Sequence, residues 1–270
     1  MELSQRPIGV FDSGVGGLSI LTEIHRQLPH EDLIYIADQE WAPYGARSIA
    51  DVRRRSVAIT AELIGRGAKL AVVACNSASA AALNHLREVF PGTPFVGMEP
   101  ALKPAAEHTS RGVIGILATA TTFQGELYAS VLDRHANGVD VHEVAAARLA
   151  MLVEEGQLDA AEGDLKELLE PMLSAGIDTL VLGCTHYPFL EDQIRAVVGP
   201  HVRLVDPSPA VARQVGRVLD ESGLSNKSPG SGATTYLTSG DPGRLEEQAL
   251  RLVGYAIAAV RVDIEDQGID

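Results

Sequence analysis

The feature that most constrains this chain is an alternation of short, continuous apolar runs with longer amphipathic stretches, set out twice. IGVF at 8–11, LIYIA at 33–37 and LAVVA at 70–74 are each followed by a helical pattern: LSILTEIHRQL, VRRRSVAITAELIGRG and SASAAALNHLREVF. VIGIL at 113–117, TLVLG at 179–183 and VRLVD at 202–206 form a second set. Runs that are apolar at every position suit strands covered by helices on both faces, which predicts an α/β fold built on mainly parallel sheets. The stretch from Ser222 to Ser231 is rich in turn formers and predicts an exposed loop. A last strand at TTYLT and a helix over RLEEQALRLVGYAIAAV are expected after it.

The two sets echo each other around the only two cysteines. In LAVVACNSASAAAL and TLVLGCTHYPFLEDQI an apolar strand ends in Cys75 or Cys184, a polar residue follows, and a helix begins. Upstream, Asp12 closes one strand and Thr119 another, at nearly equal spans before Cys75 and Cys184. Two half-domains built alike would each present one thiol at the carboxyl end of a strand, where open α/β sheets bind ligands. The expected units are 1–98 plus 208–270, carrying Cys75, and 99–207, carrying Cys184, with the active site in the cleft between them.

Charge narrows the partners. A formal net charge of −14 makes a nucleic-acid backbone or an anionic membrane poor company. The densest basic run, Arg53 to Arg55, reads as the solvated face of a helix. No stretch of about 18 apolar residues is present and the amino terminus is polar, so neither a membrane span nor a signal peptide is expected. A cytoplasmic setting follows, in which two cysteines remain thiols and no disulfide framework holds the fold.

A cysteine at a strand-to-helix turn sits beside the positive end of a helix dipole, which is expected to lower its pKa toward the range where it exchanges protons near neutrality. Cys75 precedes Asn76 and Ser77; Cys184 precedes Thr185 and His186. Four chemistries compete for the thiols. Zinc would need more ligands at chelating spacing than Cys75, Cys184 and His186 offer. A redox dithiol would want CxxC or a nearby resolving partner. A Cys–His hydrolase would use one thiol and leave the other idle. A pair facing across a cleft, one thiol as base and one as acid, uses both and inverts a stereocentre. The glycines of FDSGVGGLS do not complete GxGxxG, although Asp38 stands where a ribose-binding acid would. None of the lysines Lys69, Lys103, Lys166 and Lys227 stands in a motif suited to pyridoxal phosphate. No cofactor and no metal are expected.

Taken together and in this order, IGVFDSGVGGLS, ADQEWAPYGARS, VVACNSAS, GILATATT and LVLGCTHYPFL resemble the glutamate racemases of bacteria. The resemblance spans almost the whole chain. It implies two pseudo-symmetric α/β domains and a cofactor-independent racemase, commonly a homodimer, acting on an amino-acid substrate and supplying D-glutamate for peptidoglycan. Carried over by motif, Cys75 and Cys184 are the two proton donors and acceptors, with Asp12 supporting the first, His186 the second, and Glu154 near the second. Ser13, Tyr44, Gly45, Asn76, Ser77 and Thr185 would hold substrate together with Asp12 and His186, and Thr119 and Thr122 would add to them. The chain departs from the family pattern at Ala146-Ala147, where relatives commonly carry Cys-Pro ahead of this glutamate. An aspartate racemase, a nucleotide-linked oxidoreductase and a silent amino-acid-binding relative are the competing expectations.

Overall fold

A computed structural model describes residues 2–265. The chain opens with β1 (Ile8–Asp12), α1 (Leu18–Gln27), β2 (Leu33–Ala37), α2 (Ile49–Gly65), β3 (Leu70–Val73), α3 (Asn76–Val89) and β4 (Phe95–Gly97). After α4 (Leu102–His108) come β5 (Val113–Ala118), α5 (Ala120–Gln124), α6 (Glu126–His135), β6 (Asp140–Ala145), α7 (Ala147–Glu154), α8 (Ala161–Ser174), β7 (Thr179–Gly183), α9 (Glu191–Val198) and β8 (Arg203–Val205). It then returns through α10 (Ser208–Glu221), β9 (Thr234–Thr238), α11 (Pro242–Val253) and β10 (Ala259–Arg261).

Two parallel sheets result, ordered β10-β9-β2-β1-β3-β4 and β6-β5-β7-β8. The run β2-β1-β3-β4 has the same order as β6-β5-β7-β8, so the sequence echo is also a repeat of topology. The core strands β1, β2, β3 and β7 are buried at every position, because helices cover both faces and leave no polar side to alternate with. Register then sets the chemistry. Phe11 pairs with Val73, so Asp12 and Cys75 emerge at one edge of the first sheet; Ala118 pairs with Gly183, so Thr119 and Cys184 emerge at one edge of the second.

The loop expected from Ser222 to Ser231 carries no helix or strand. Three local expectations change. The last helix stops at Val253 instead of running to Val260, because Gly254 adopts the left-handed conformation (φ +80°) and donates its N–H to Leu250 O. The residues beyond form β10, parallel to β9. Strands β4 and β6 escaped the sequence reading. The first is a three-residue strand, and the second is a half-exposed edge whose DVHEVA lacks a continuous apolar run. Finally, Arg55 does not belong to a solvated face. It is 4% exposed and grips Asp38 through Nε (2.8 Å) and Nη2 (2.7 Å), with its guanidinium 5.0 Å from the centre of the Trp41 ring. The fork geometry satisfies both buried charges, and removing one partner of such a pair costs about 3–5 kcal/mol. Asp38 is thereby occupied as a structural anion, not placed for a ribose.

Candidate active site

Both thiols line one small cavity, walled by the carboxyl edges of the two sheets. Cys75 is the extended residue preceding α3, so the first-turn N–H groups of a fourteen-residue helix lie beside it. Asn76 and Ser77 in that turn also face the cavity, as do Ser13 after β1 and Tyr44 and Gly45 after Pro43. The opposite wall carries Thr119, Cys184, Thr185 and His186, with Ala147 and Ala150 of α7 closing it.

Asp12, Thr122 and Glu154 stand behind this lining. Asp12 is fully buried; it accepts the Ser13 N–H at 2.7 Å, the Gly17 N–H, and the Thr185 hydroxyl at 3.2 Å. Burial drives its pKa up, against the opposing charge of His186. The thiol pKa lowering expected from the helix terminus does not hold at Cys75: burial pushes this thiol well up instead, and the negative charge of Asp12 adds to the shift. The Cys75 Sγ lies 3.9 Å from Ser13 Oγ.

The Cys184 side is built differently. His186 Nδ1 lies 3.6 Å from Cys184 Sγ and Nε2 lies 2.6 Å from Glu154 Oε1. Burial alone would lower the imidazole pKa, but bonding to Cys184 and Glu154 together with their charges overcomes it, leaving His186 well above its ordinary value. Glu154 Oε1 also accepts the Val15 N–H at 2.8 Å, so a loop of the first half holds an acid of the second.

That loop explains the glycines of FDSGVGGL. A Cβ on Gly14 would lie 1.9 Å from Glu154 Oε1, and one on Gly16 would lie 2.4 Å from Thr185 Oγ1 and 2.5 Å from His186 Nδ1. They are glycines of close approach between halves, a role that GxGxxG spacing alone does not signal. The change at Ala146-Ala147 leaves the Glu154–His186 contact intact, and the Ala146 carbonyl accepts the buried Tyr187 hydroxyl at 2.9 Å.

Two polar features decide what the cavity can hold. Asn76 has neither amide atom paired although it is buried, an arrangement that proteins keep for a ligand or ordered water. Ser77 Oγ, Thr119 Oγ1 and Thr122 Oγ1 form a chain with 3.0 Å steps that crosses from one half to the other, and Thr121 Oγ1 donates to Gly45 O at 3.0 Å. Tyr44 contributes its ring to the lining, but its hydroxyl is spent on Asp38 at 2.5 Å. Among the described residues, no three His, Cys, Asp or Glu side chains are grouped as a metal site.

Residues 8–215 match the Asp/Glu/Hydantoin racemase family. The chain is 51% identical over 254 residues to a glutamate racemase of Roseiflexus sp. (strain RS-1), covering 93% of each. It superposes on glutamate racemase isoform RacE1 from Bacillus anthracis with a TM-score of 0.89 and 36% identity, over 97% of this chain and 98% of that one. A glutamate racemase from Francisella tularensis subsp. tularensis SCHU S4, solved in complex with D-glutamate, matches with a TM-score of 0.85 and 27% identity, over 97% and 99%. Because these likenesses run through both repeats and take in both cysteines, the chain belongs to the Asp/Glu/Hydantoin racemase family.

Proposed function

We propose that the protein interconverts L-glutamate and D-glutamate without a cofactor, using Cys75 and Cys184 as an acid–base pair. The observation that carries this reading is the presence of both thiols, from equivalent strands of two repeats, in the lining of one small cavity. The glutamate racemase relatives and the D-glutamate complex of one of them support the choice of substrate.

From L-glutamate, the Cys184 thiolate takes the α-proton and the Cys75 thiol delivers its own proton to the opposite face. This direction follows the family resemblance. The products are D-glutamate, a Cys184 thiol and a Cys75 thiolate, and the reverse passage restores the starting state. An imidazolium at His186 is a suitable neighbour for a Cys184 thiolate, and Glu154 holds the ring in place. Burial of Cys75, and after it the charge of Asp12 beside it, favour the protonated thiol there, ready to act as acid. The free amide of Asn76, the hydroxyls of Ser13, Ser77, Thr119 and Thr185, and the first-turn N–H groups of α3 can take the substrate's carboxylates and ammonium. Gly45 supplies backbone at the rim, and Thr122 acts through Thr119.

The two sheets suggest functional units of 1–98 plus 208–270 and 99–207, of which Met1 and 266–270 lie outside the described residues. A homodimer, a cytoplasmic location and a supply of D-glutamate for peptidoglycan complete the reading. No described helix is long and apolar enough to cross a membrane, and the net charge of −14 disfavours nucleic acid.

Circular dichroism of L-glutamate and L-aspartate solutions incubated with the purified protein tests the proposal. Glutamate should lose its optical activity without added cofactor, whereas aspartate, alanine and lysine should keep theirs. Persistence of the glutamate signal, or equal turnover of aspartate, would overturn it.

A further inference from the structure

Helix α7 forms part of the cavity wall through Ala147 and Ala150, and its last residue is Glu154, the partner of His186. A helix end leaves backbone carbonyls without intrahelical donors, and such carbonyls need partners when buried. Here the partners come from the other half of the molecule. Gln248 Nε2 and Arg244 Nη2 both donate to Glu154 O, the latter at 3.3 Å, and Arg251 Nη1 donates to Gly156 O at 3.2 Å. Residues 244, 248 and 251 recur at helical spacing, so they form one row along α11. Gly156 takes φ +68°, a backbone conformation that side-chain-bearing residues rarely adopt, so the turn favours glycine.

The Gln248 amide is not free to rotate. Its Oε1 accepts from Gln39 Nε2 at 2.6 Å, and Gln39 Oε1 accepts from Thr238 Oγ1 at 2.9 Å. The Thr238 hydroxyl oxygen also accepts the Gly240 N–H at 3.0 Å, and because Glu154 O can only accept, the Gln248 atom that faces it is the amide nitrogen. The chain of bonds leaves one orientation in which Gln248 Nε2 points at Glu154 O. Gln248 is 7% exposed, so water does not compete freely for either end of the amide. A continuous path thus runs from β9 through Gln39 and Gln248 to Glu154, then to His186 and Cys184.

We propose that Gln248, oriented by Gln39 and flanked by Arg244 and Arg251, is a positioning residue that sets the end of α7 and thereby the Glu154–His186 pair beside Cys184. This rests on the glutamate racemase reading of the cavity. Gln248 touches neither thiol; it acts through the backbone of Glu154. An acid–base group displaced by a fraction of an ångström loses rate while the groups that bind substrate on the Cys75 side keep their places.

The full-length protein with Gln248→Met tests this, since methionine keeps the side-chain length and removes the donor. Ile59→Val, a core change among the residues packed on the first sheet, serves as a control for lost stability. In Gln248→Met, kcat for glutamate should fall about tenfold with KM within about twofold. The ring N–H resonance of His186, identified in proton NMR by its absence from His186→Asn, should shift. Gln39→Leu should shift it in the same direction with a smaller loss of kcat, and serves if Gln248→Met does not fold. Ile59→Val should change neither quantity. An unmoved His186 resonance in both Gln248→Met and Gln39→Leu overturns the proposal, as does the same shift in Ile59→Val. If the unmodified protein leaves glutamate unchanged, the reading of the cavity fails, and the resonance still decides the positioning role.

Discussion

The two thiol half-sites descend from the same strand order yet meet their protons in opposite surroundings. Cys75 opens a fourteen-residue helix and has a buried carboxylate, Asp12, behind it; Cys184 enters a short 3₁₀ turn (Tyr187–Leu190) and has an imidazole two residues on, backed by Glu154. Burial, and after it the negative charge of Asp12, push the Cys75 thiol well up, whereas Cys184 has beside it an imidazole whose pKa is held well above its ordinary value. A repeated fold therefore supplies two equivalent positions, and the loops after the strands make them chemically unequal. For the proposed reaction, which begins with one acid and one base, that inequality is useful.

The strongest test of this comparison removes one thiol at a time. Cys75→Ala and Cys184→Ala should each abolish racemisation in both directions, a loss of at least about 10³-fold, because neither half can complete the transfer alone. Early in a reaction run in deuterated water, product should carry deuterium while remaining substrate keeps protium. Deuterium entering both at the same rate would reveal a single shared base and erase the distinction between the half-sites.

Next in size are the two supports. Asp12→Asn and His186→Asn should each slow turnover roughly 10²-fold, the usual scale of lost acid–base assistance. His186 also carries a stability signature. Its folded pKa is raised, so its contribution is complete below the ordinary histidine value of about 6.5 and is lost as pH rises through the higher folded value. Thermal unfolding of the native protein should show this alkaline decline, and His186→Asn should lack it; parallel curves would remove the charged imidazole from the account.

A smaller effect is expected where the halves touch. Gly16→Ala places a methyl among Thr185 and His186, and roughly a tenfold fall in kcat should follow from their displacement. Smallest is Tyr44→Phe. Its hydroxyl already serves Asp38, so KM for glutamate should stay within about threefold. A much larger rise in KM would return the hydroxyl to the substrate.

Much of this architecture was legible because it is written in local pattern. Continuous apolar runs such as LAVVA and TLVLG mark strands buried on both faces, and a cysteine followed by a polar residue marks the turn after each. What escaped lacked such a mark. DVHEVA at an edge is held as a strand by its neighbour, and β4 has only three residues. Arg55 sits in a basic run that looks solvated until Asp38, in another element, is brought against it.

The sequence by itself determined the repeat, the strand ends that carry Asp12, Cys75, Thr119 and Cys184, and the family. These depend on hydrophobic period and on residues close together in the chain. Only the tertiary structure decided that glycines near the amino terminus press on Glu154 and His186, that the Tyr44 hydroxyl faces Asp38, and that Gln248 holds the end of α7. Each of these is a contact between elements remote in sequence, settled by how buried donors and acceptors find partners once the two sheets are packed, and no local pattern encodes that pairing.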